Sequence, residues 1–180
     1  MKPLLMFDID GVLAPFGGEH GRHADYVTVD LHPPYSPVYV RRDLPDVMKR
    51  LMQTFTIMWG TAWEDEANNY REHFGFVEPL EMINFMGECK HEIGARRLSG
   101  GVVLEPGYST WKLPWIAHFL DNDERPAIWI DDEALDDAQI YAAARTEAGI
   151  PTLFIRTEPH IGFIDDHVGQ METWAKEHCS

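Results

Sequence analysis

Leu4-Leu5-Met6-Phe7-Asp8-Ile9-Asp10-Gly11-Val12-Leu13 opens the chain with four apolar residues that stop at two carboxylates and a glycine. An unbroken apolar tetrad suits a strand covered on both faces. Further along, Phe55-Thr56-Ile57-Met58-Trp59 repeats the pattern and ends in Gly60-Thr61. Ala127-Ile128-Trp129-Ile130 repeats it again and ends in Asp131-Asp132, and Thr152-Leu153-Phe154-Ile155 is a fourth such run. Glu81 to Met86 reads as another short strand. Between these runs lie helical patterns: Leu44 to Met52 after Asp43 as N-cap, and Glu64 to Phe74 with Gly75 as the stop. Three more follow: a helix through Trp111, Trp115 and Phe119 capped by Ser109 or Thr110, Ala134 to Ala148 ending at Gly149, and a last helix from Asp165 or Asp166. Buried strands alternating with amphipathic helices predict an α/β fold, a three-layer α/β/α Rossmann-like sandwich around a parallel sheet. Ligand sites in such sheets lie at the carboxyl ends of the strands, where three of these four runs place acidic or hydroxyl residues.

The 180 residues carry 44% hydrophobic and 25% charged side chains, a globular composition with room for a real core. No repeat or linker divides them, so residues 1–180 read as one domain. Fifteen Lys and Arg against 30 Asp and Glu give a formal charge of −15. Such a field disfavours stable binding to long nucleic acid or to an anionic membrane. It leaves open a small phosphorylated ligand, because one local cation reverses the sign of a pocket. No apolar run reaches the ~18 residues that span a bilayer, and Lys2 with a short apolar stretch is not a signal peptide. Two cysteines, Cys89 and Cys179, fit a reducing compartment, so the expected location is cytoplasmic.

Residues 14–42 differ from the rest. Glycines at 17, 18 and 21, prolines at 15, 33, 34 and 37, and two alternating stretches, Tyr26 to Leu31 and Val38 to Arg41, predict a flap or small β-hairpin inserted after the first strand. Residues 62–111 read as largely used by core elements, which leaves no room for a large cap domain. His20, His23 and His32 fall in this flap. A zinc site needs a third or fourth ligand at close spacing, and the glycine-flanked setting favours a solvated or substrate-facing segment instead. Trp63 and Trp111, beside motif residues, are core by default and base-stacking platforms by alternative. The pairs Arg41-Arg42 and Arg96-Arg97 are either solvated or a local basic patch.

Asp8-Ile9-Asp10-Gly11-Val12-Leu13 after a strand resembles the first motif of the haloacid-dehalogenase-like (HAD) hydrolase superfamily. The strand ending in Thr61 resembles the second, Lys112 on a helix the third, and Ile130-Asp131-Asp132 the fourth. Trp59-Gly60-Thr61-Ala62-Trp63 with Asn68, Trp111-Lys112-Leu113-Pro114 and Trp129-Ile130-Asp131-Asp132-Glu133 are closer still to one subgroup. Its members occur alone in bacteria and phages or as a domain of multidomain RNA-repair proteins. The resemblance implies that Asp8 is a nucleophile forming an aspartyl-phosphate, and that Asp10 protonates the leaving oxygen and then activates water. It also implies that Gly60 and Thr61 bind the phosphate together with Lys112. A second Asp at position 10 matches phosphatases and phosphomutases rather than dehalogenases or transport ATPases.

Elementary electrostatics agrees with these roles. A carboxylate attacking a phosphoryl group needs the negative charge around it offset, and Asp8, Asp10 and Asp131 supply oxygen ligands of the kind Mg²⁺ prefers. Asp131 is the expected direct metal carboxylate, Asp132 acts directly or through water, and Asp10 joins through its backbone carbonyl by resemblance. An open site with only a short flap suits a large substrate, such as a nucleotide or a phosphorylated nucleic-acid end, or a site closed by a second subunit. Two rival readings are a small-metabolite phosphatase and a non-catalytic binding protein on the same fold.

Overall fold

The computed structural model describes residues 1–17, 24–30, 37–87, 95–98, 101–104, 107 and 109–179. Its opening tetrad is strand β1 (Leu4–Phe7), buried at every position. β1 lies inside a four-stranded, all-parallel sheet with β4 (Thr56–Trp59), β7 (Ala127–Asp131) and β8 (Thr152–Arg156), in the order β4-β1-β7-β8. Phe7 pairs with Trp59 on one side and Ile130 on the other. Backbone bonds continue the register past the strand ends: Asp8 N–H donates to Ile130 (3.1 Å) and Gly60 N–H to Phe7 (2.8 Å). Asp8, Gly60 and Asp131 therefore come level along one edge.

The two-residue period of the strands sorts the core into two layers. Leu5, Phe7, Ile57, Trp59, Ile128 and Ile130 pack against Val47, Met48 and Leu51 of α1 (Leu44–Thr54) and Val168, Met171 and Trp174 of α4 (Asp165–His178). Leu4, Met6, Met58, Trp129 and Phe154 face the other way. They meet Trp115, Ile116 and Leu120 of α2 (Leu113–Asp121) and Ala138 and Ala142 of α3 (Asp136–Glu147). Both faces of the sheet are thus covered by helices, and each fully buried Leu, Ile or Phe contributes roughly 1.5–3 kcal/mol. At the outer strand β8, side chains of α3 reach the backbone: Thr146 Oγ1 donates to Thr152 C=O (3.1 Å) and accepts its N–H (2.9 Å), while Gln139 Nε2 donates to Phe154 C=O (2.9 Å). Among the described residues no helix is long and apolar enough to cross a membrane.

Several local expectations are corrected. The single helix over Glu64 to Phe74 is two 3₁₀ segments, Glu64–Asn69 and Arg71–Phe74. Asn68, in the last turn of the first segment, is drawn into long-range bonds, accepting Trp59 Nε1 (3.0 Å) and Leu80 N (2.9 Å) and donating to Leu80 O (3.0 Å). Gly75 ends the segment in the left-handed region (φ 92°), as expected. Asp43 holds the N-cap position of α1 as expected, but its side chain bonds no helix N–H, because its carboxylate is taken by Arg41 at 2.7 and 3.0 Å. Neither Ser109 nor Thr110 caps α2: the helix starts at Leu113, and Lys112 takes the N-cap position just before it. Glu81 to Met86 pairs with β4 only around Met82, through Trp59 N–H to Glu81 O (2.8 Å) and Ile83 N–H to Trp59 O (3.0 Å).

The flap does form an antiparallel hairpin, β2 (Tyr26–Val29) with β3 (Val38–Arg41). It begins later than residue 14, since Ala14 is buried and its N–H bonds Ile9 O (2.9 Å) as part of the β1 loop. A second antiparallel hairpin, β5 (Ala95–Leu98) with β6 (Gly101–Leu104), stands apart from the main sheet, so residues 62–111 are not all core elements. Arg96 and Arg97 fall on β5. Cys89 and the three flap histidines lie outside the described residues, and with them the zinc reading.

Candidate functional site

Asp8 leaves β1 at the carboxyl edge, and its Oδ1 accepts the Ile9 N–H at 2.8 Å. Gly11 (φ 68°) turns the chain, the Ala14 N–H closes back on Ile9 O, and Thr157 Oγ1 donates to Gly11 O at 2.9 Å. Phe163 N–H donates to Val12 O (2.9 Å) one residue after Gly162, where a Cβ would lie 2.6 Å from that same oxygen. The loop carrying Asp8 and Asp10 is therefore held from below by the segment that follows β8.

Asp131 ends β7, and its Oδ1 accepts the Glu133 N–H at 2.8 Å. Lys112 Nζ reaches across from the residue before α2 to Asp8 Oδ2 (2.5 Å) and Asp131 Oδ2 (2.8 Å). All three are buried. Lys112 is placed by its neighbours: Asp137 accepts Ser109 N (2.7 Å), Thr110 N (2.9 Å) and Thr110 Oγ1 (2.6 Å), and Thr110 Oγ1 accepts Leu135 N (3.0 Å). This clamp ties the 109–112 loop to the start of α3. Lys112 also lies 5.6 Å from the Trp111 ring centre, and Trp111 Nε1 donates to Glu133 (2.6 Å).

Asp132 completes an acidic cluster, with one carboxylate oxygen each from Asp8, Asp131 and Asp132 mutually within 4.8 Å. Gly11 makes this approach feasible, because a Cβ there would lie 2.5 Å from Asp132 Oδ2. The Asp10 carboxylate does not join the cluster: its Oδ2 accepts the Trp63 indole N–H at 2.8 Å. Thr61 is buried at the end of β4, in a turn closed by Glu64 N–H to Thr61 O (3.2 Å), and Gly60 is bonded to β1. Every expected site residue thus lies on one edge of the sheet or its adjoining loops.

The site is short of cations. Burial and then the neighbouring Asp8 hold the Asp131 carboxyl well above the ordinary aspartate range, with Lys112 pulling the other way. Burial, then Asp8 and Glu133, push Asp132 up to about 6. Asp10 is raised chiefly by burial, against the opposing Trp63 hydrogen bond. Lys112 loses by burial, but Asp8 and Asp131 outweigh that and raise it above an ordinary lysine. One ammonium shared by a cluster of three carboxylates leaves net negative charge, and the donor set is all oxygen, which suits a hard divalent cation.

Three partners were not evident from the sequence. Trp63 and Asp137 act through side-chain hydrogen bonds to residues 53 and 27 positions away, and no spacing rule announces such contacts. Thr157 follows the last strand, so the strand-edge rule that found Thr61 would have found it as well. Comparison with protein-family models, curated proteins and solved structures finds no match for the chain.

Proposed function

We propose that this protein is a Mg²⁺-dependent phosphomonoester hydrolase of the HAD type, acting through an aspartyl-phosphate on a nucleotide or a phosphorylated nucleic-acid end. The observation that carries the reading is the Lys112 bridge between Asp8 and Asp131, with Asp132 beside them. Asp8, Asp131 and Asp132 would hold the metal, which supplies charge compensation for the phosphate and for the attacking carboxylate.

In the first step an Asp8 oxygen bonds to phosphorus as the bond to the leaving oxygen breaks, and Asp10 gives that oxygen its proton. In the second, water adds to phosphorus and loses its proton to Asp10, and the bond to Asp8 breaks to release inorganic phosphate. The raised Asp10 suits the acid role, because it keeps more of the carboxyl protonated near neutral pH. Lys112 holds Asp8 in place and offers its charge to the transferred group. Thr61 supplies a hydroxyl donor, whereas the Gly60 N–H is already engaged by Phe7 O and does not donate to the phosphate. The two cysteines fit a cytoplasmic setting for this activity.

A cleft of about 290 Å³ beside Asp10 is lined by Trp63, Glu64, Asp65 and Glu66. That acidic lining opposes a long polyanion and favours the second reading, a small-metabolite phosphatase. The deciding experiment is hydrolysis of 4-nitrophenyl phosphate, nucleoside monophosphates and 5′- or 3′-phosphorylated oligonucleotides, with and without Mg²⁺, by wild type and Asp8→Asn. Mg²⁺-dependent turnover lost in Asp8→Asn supports the hydrolase. Oligonucleotide turnover that falls steeply with salt selects the nucleic-acid end. No turnover together with no Mg²⁺ binding returns the fold to a binding role.

A further inference from the structure

The motif around β4 contributes more than a phosphate-binding threonine. Trp63 lies two residues beyond Thr61, and its backbone N–H points to Thr61 Oγ1 at 3.4 Å. Its ring meets Tyr70 edge-on at 5.9 Å and packs against the core layer of α1 and α4. The next residue, Glu64, takes the left-handed conformation (φ 51°), which side chains other than glycine seldom adopt. A ring seated in this way has few rotamers left, and it directs its one polar atom at Asp10 Oδ2, 2.8 Å away.

We infer that Trp63 is a positioning residue for proton transfer by Asp10, fixing the carboxyl through Oδ2 so that Oδ1 carries the proton exchanged with the leaving group and then with water. The inference rests on the hydrolase reading above and adds to it a residue that touches neither phosphate nor metal. An indole N–H can donate and never accept. Bonded to Oδ2, it leaves the opposite oxygen as the site for the acid proton. Once that proton has gone, the same N–H becomes a charge-assisted donor to the carboxylate and holds it for the incoming water. Proton transfer requires the acid within hydrogen-bond reach of the reacting oxygen, so a carboxyl free to rotate spends less time in a productive pose. The arrangement also couples two strands. The Asp10 loop follows β1 and Trp63 follows β4, so the residues proposed for phosphate binding and for proton transfer are set by one turn.

Two measurements test this. In ¹⁵N-indole spectra of the whole protein, Trp63→Phe identifies the Trp63 cross-peak. Asp10→Ala, which leaves Trp63 in place, is expected to move that peak more than those of the other five tryptophans. An unmoved peak overturns the hydrogen bond, whatever the catalytic result. The second measurement compares phenyl phosphate, whose leaving oxygen needs a proton, with 4-nitrophenyl phosphate, whose leaving phenolate needs far less help. Trp63→Phe is expected to lose about tenfold in kcat/KM on phenyl phosphate, the constant that reports the step expelling the alcohol, and several-fold less on the nitrophenyl ester. Equal losses of kcat/KM on both esters, or no loss on either, overturn the positioning role while the hydrolase stands. Wild-type turnover that survives Asp8→Asn, or no turnover of either ester, overturns the hydrolase reading and this role together.

Discussion

Lys112 is 3% exposed between two carboxylates, so removing its charge leaves Asp8 and Asp131 facing each other in a low-dielectric site. Breaking one side of a buried ion pair typically costs about 3–5 kcal/mol. Lys112→Met should lose stability of that order in urea denaturation with EDTA present, and adding Asp131→Asn should recover part of it by removing one of the two charges. A double-variant loss equal to the sum of the two single losses would mean the pair is not coupled. Asp132 makes a pH prediction at the same scale. Its carboxyl sits at about 6 in the fold against 3.8 when unperturbed, so between those values the folded state holds a proton that the unfolded chain has released. Its contribution therefore favours folding at low pH and fades as pH rises through 6. Asp43, Asp123 and Asp137 are held below the ordinary range and act with the opposite sign, losing stability as pH falls. In EDTA, Asp132→Asn should remove a falling component of stability between pH 4 and 6, read as the difference between the two denaturation curves.

At the scale of elements, the four sheet strands were legible because each is a short unbroken apolar run, and their C-terminal residues announced the site edge. The second layer of information was not. Whether Glu64 to Phe74 winds as one α-helix or two tighter turns depends on bonds from Asn68 to Trp59 and Leu80, which local periodicity cannot encode. Asp43 and Thr110 have good capping chemistry, yet Arg41 and Asp137 compete for them and win. The β5–β6 hairpin carries no turn signal beyond Gly100-Gly101, in a stretch whose sequence reads largely as core elements. Glycine positions give a test of element packing. Gly75 and Gly149 both end helical segments at positive φ, but a Cβ at Gly75 would lie 2.5 Å from Pro45 Cα, whereas nothing lies within 4 Å of one at Gly149. Gly149→Ala should cost only the conformational penalty of about 1 kcal/mol. Gly75→Ala should cost clearly more, because it must also move the first turn of α1. Comparable losses in thermal melts would show that α1 gives way freely.

For the whole molecule, the charge of −15 means that the compact state concentrates like charge, and the clustered carboxylates of the site add to it. Screening should therefore stabilise the fold: raising NaCl from about 10 to 150 mM shortens the Debye length from about 30 to 8 Å and is expected to raise Tm. A flat or falling Tm would mean that attractive pairs such as Arg41 with Asp43 and Asp165 dominate the surface field. The backbone of β8 has a different consequence. A terminal strand of a sheet ordinarily offers a row of free peptide groups on which another polypeptide can align, and this is how folded proteins recruit one another into fibres. Here Thr146 and Gln139 already occupy the Thr152 N–H and C=O and the Phe154 C=O. Lateral templating is blunted over the first half of that flank, at Thr152 and the Phe154 C=O, by two polar side chains of a neighbouring helix.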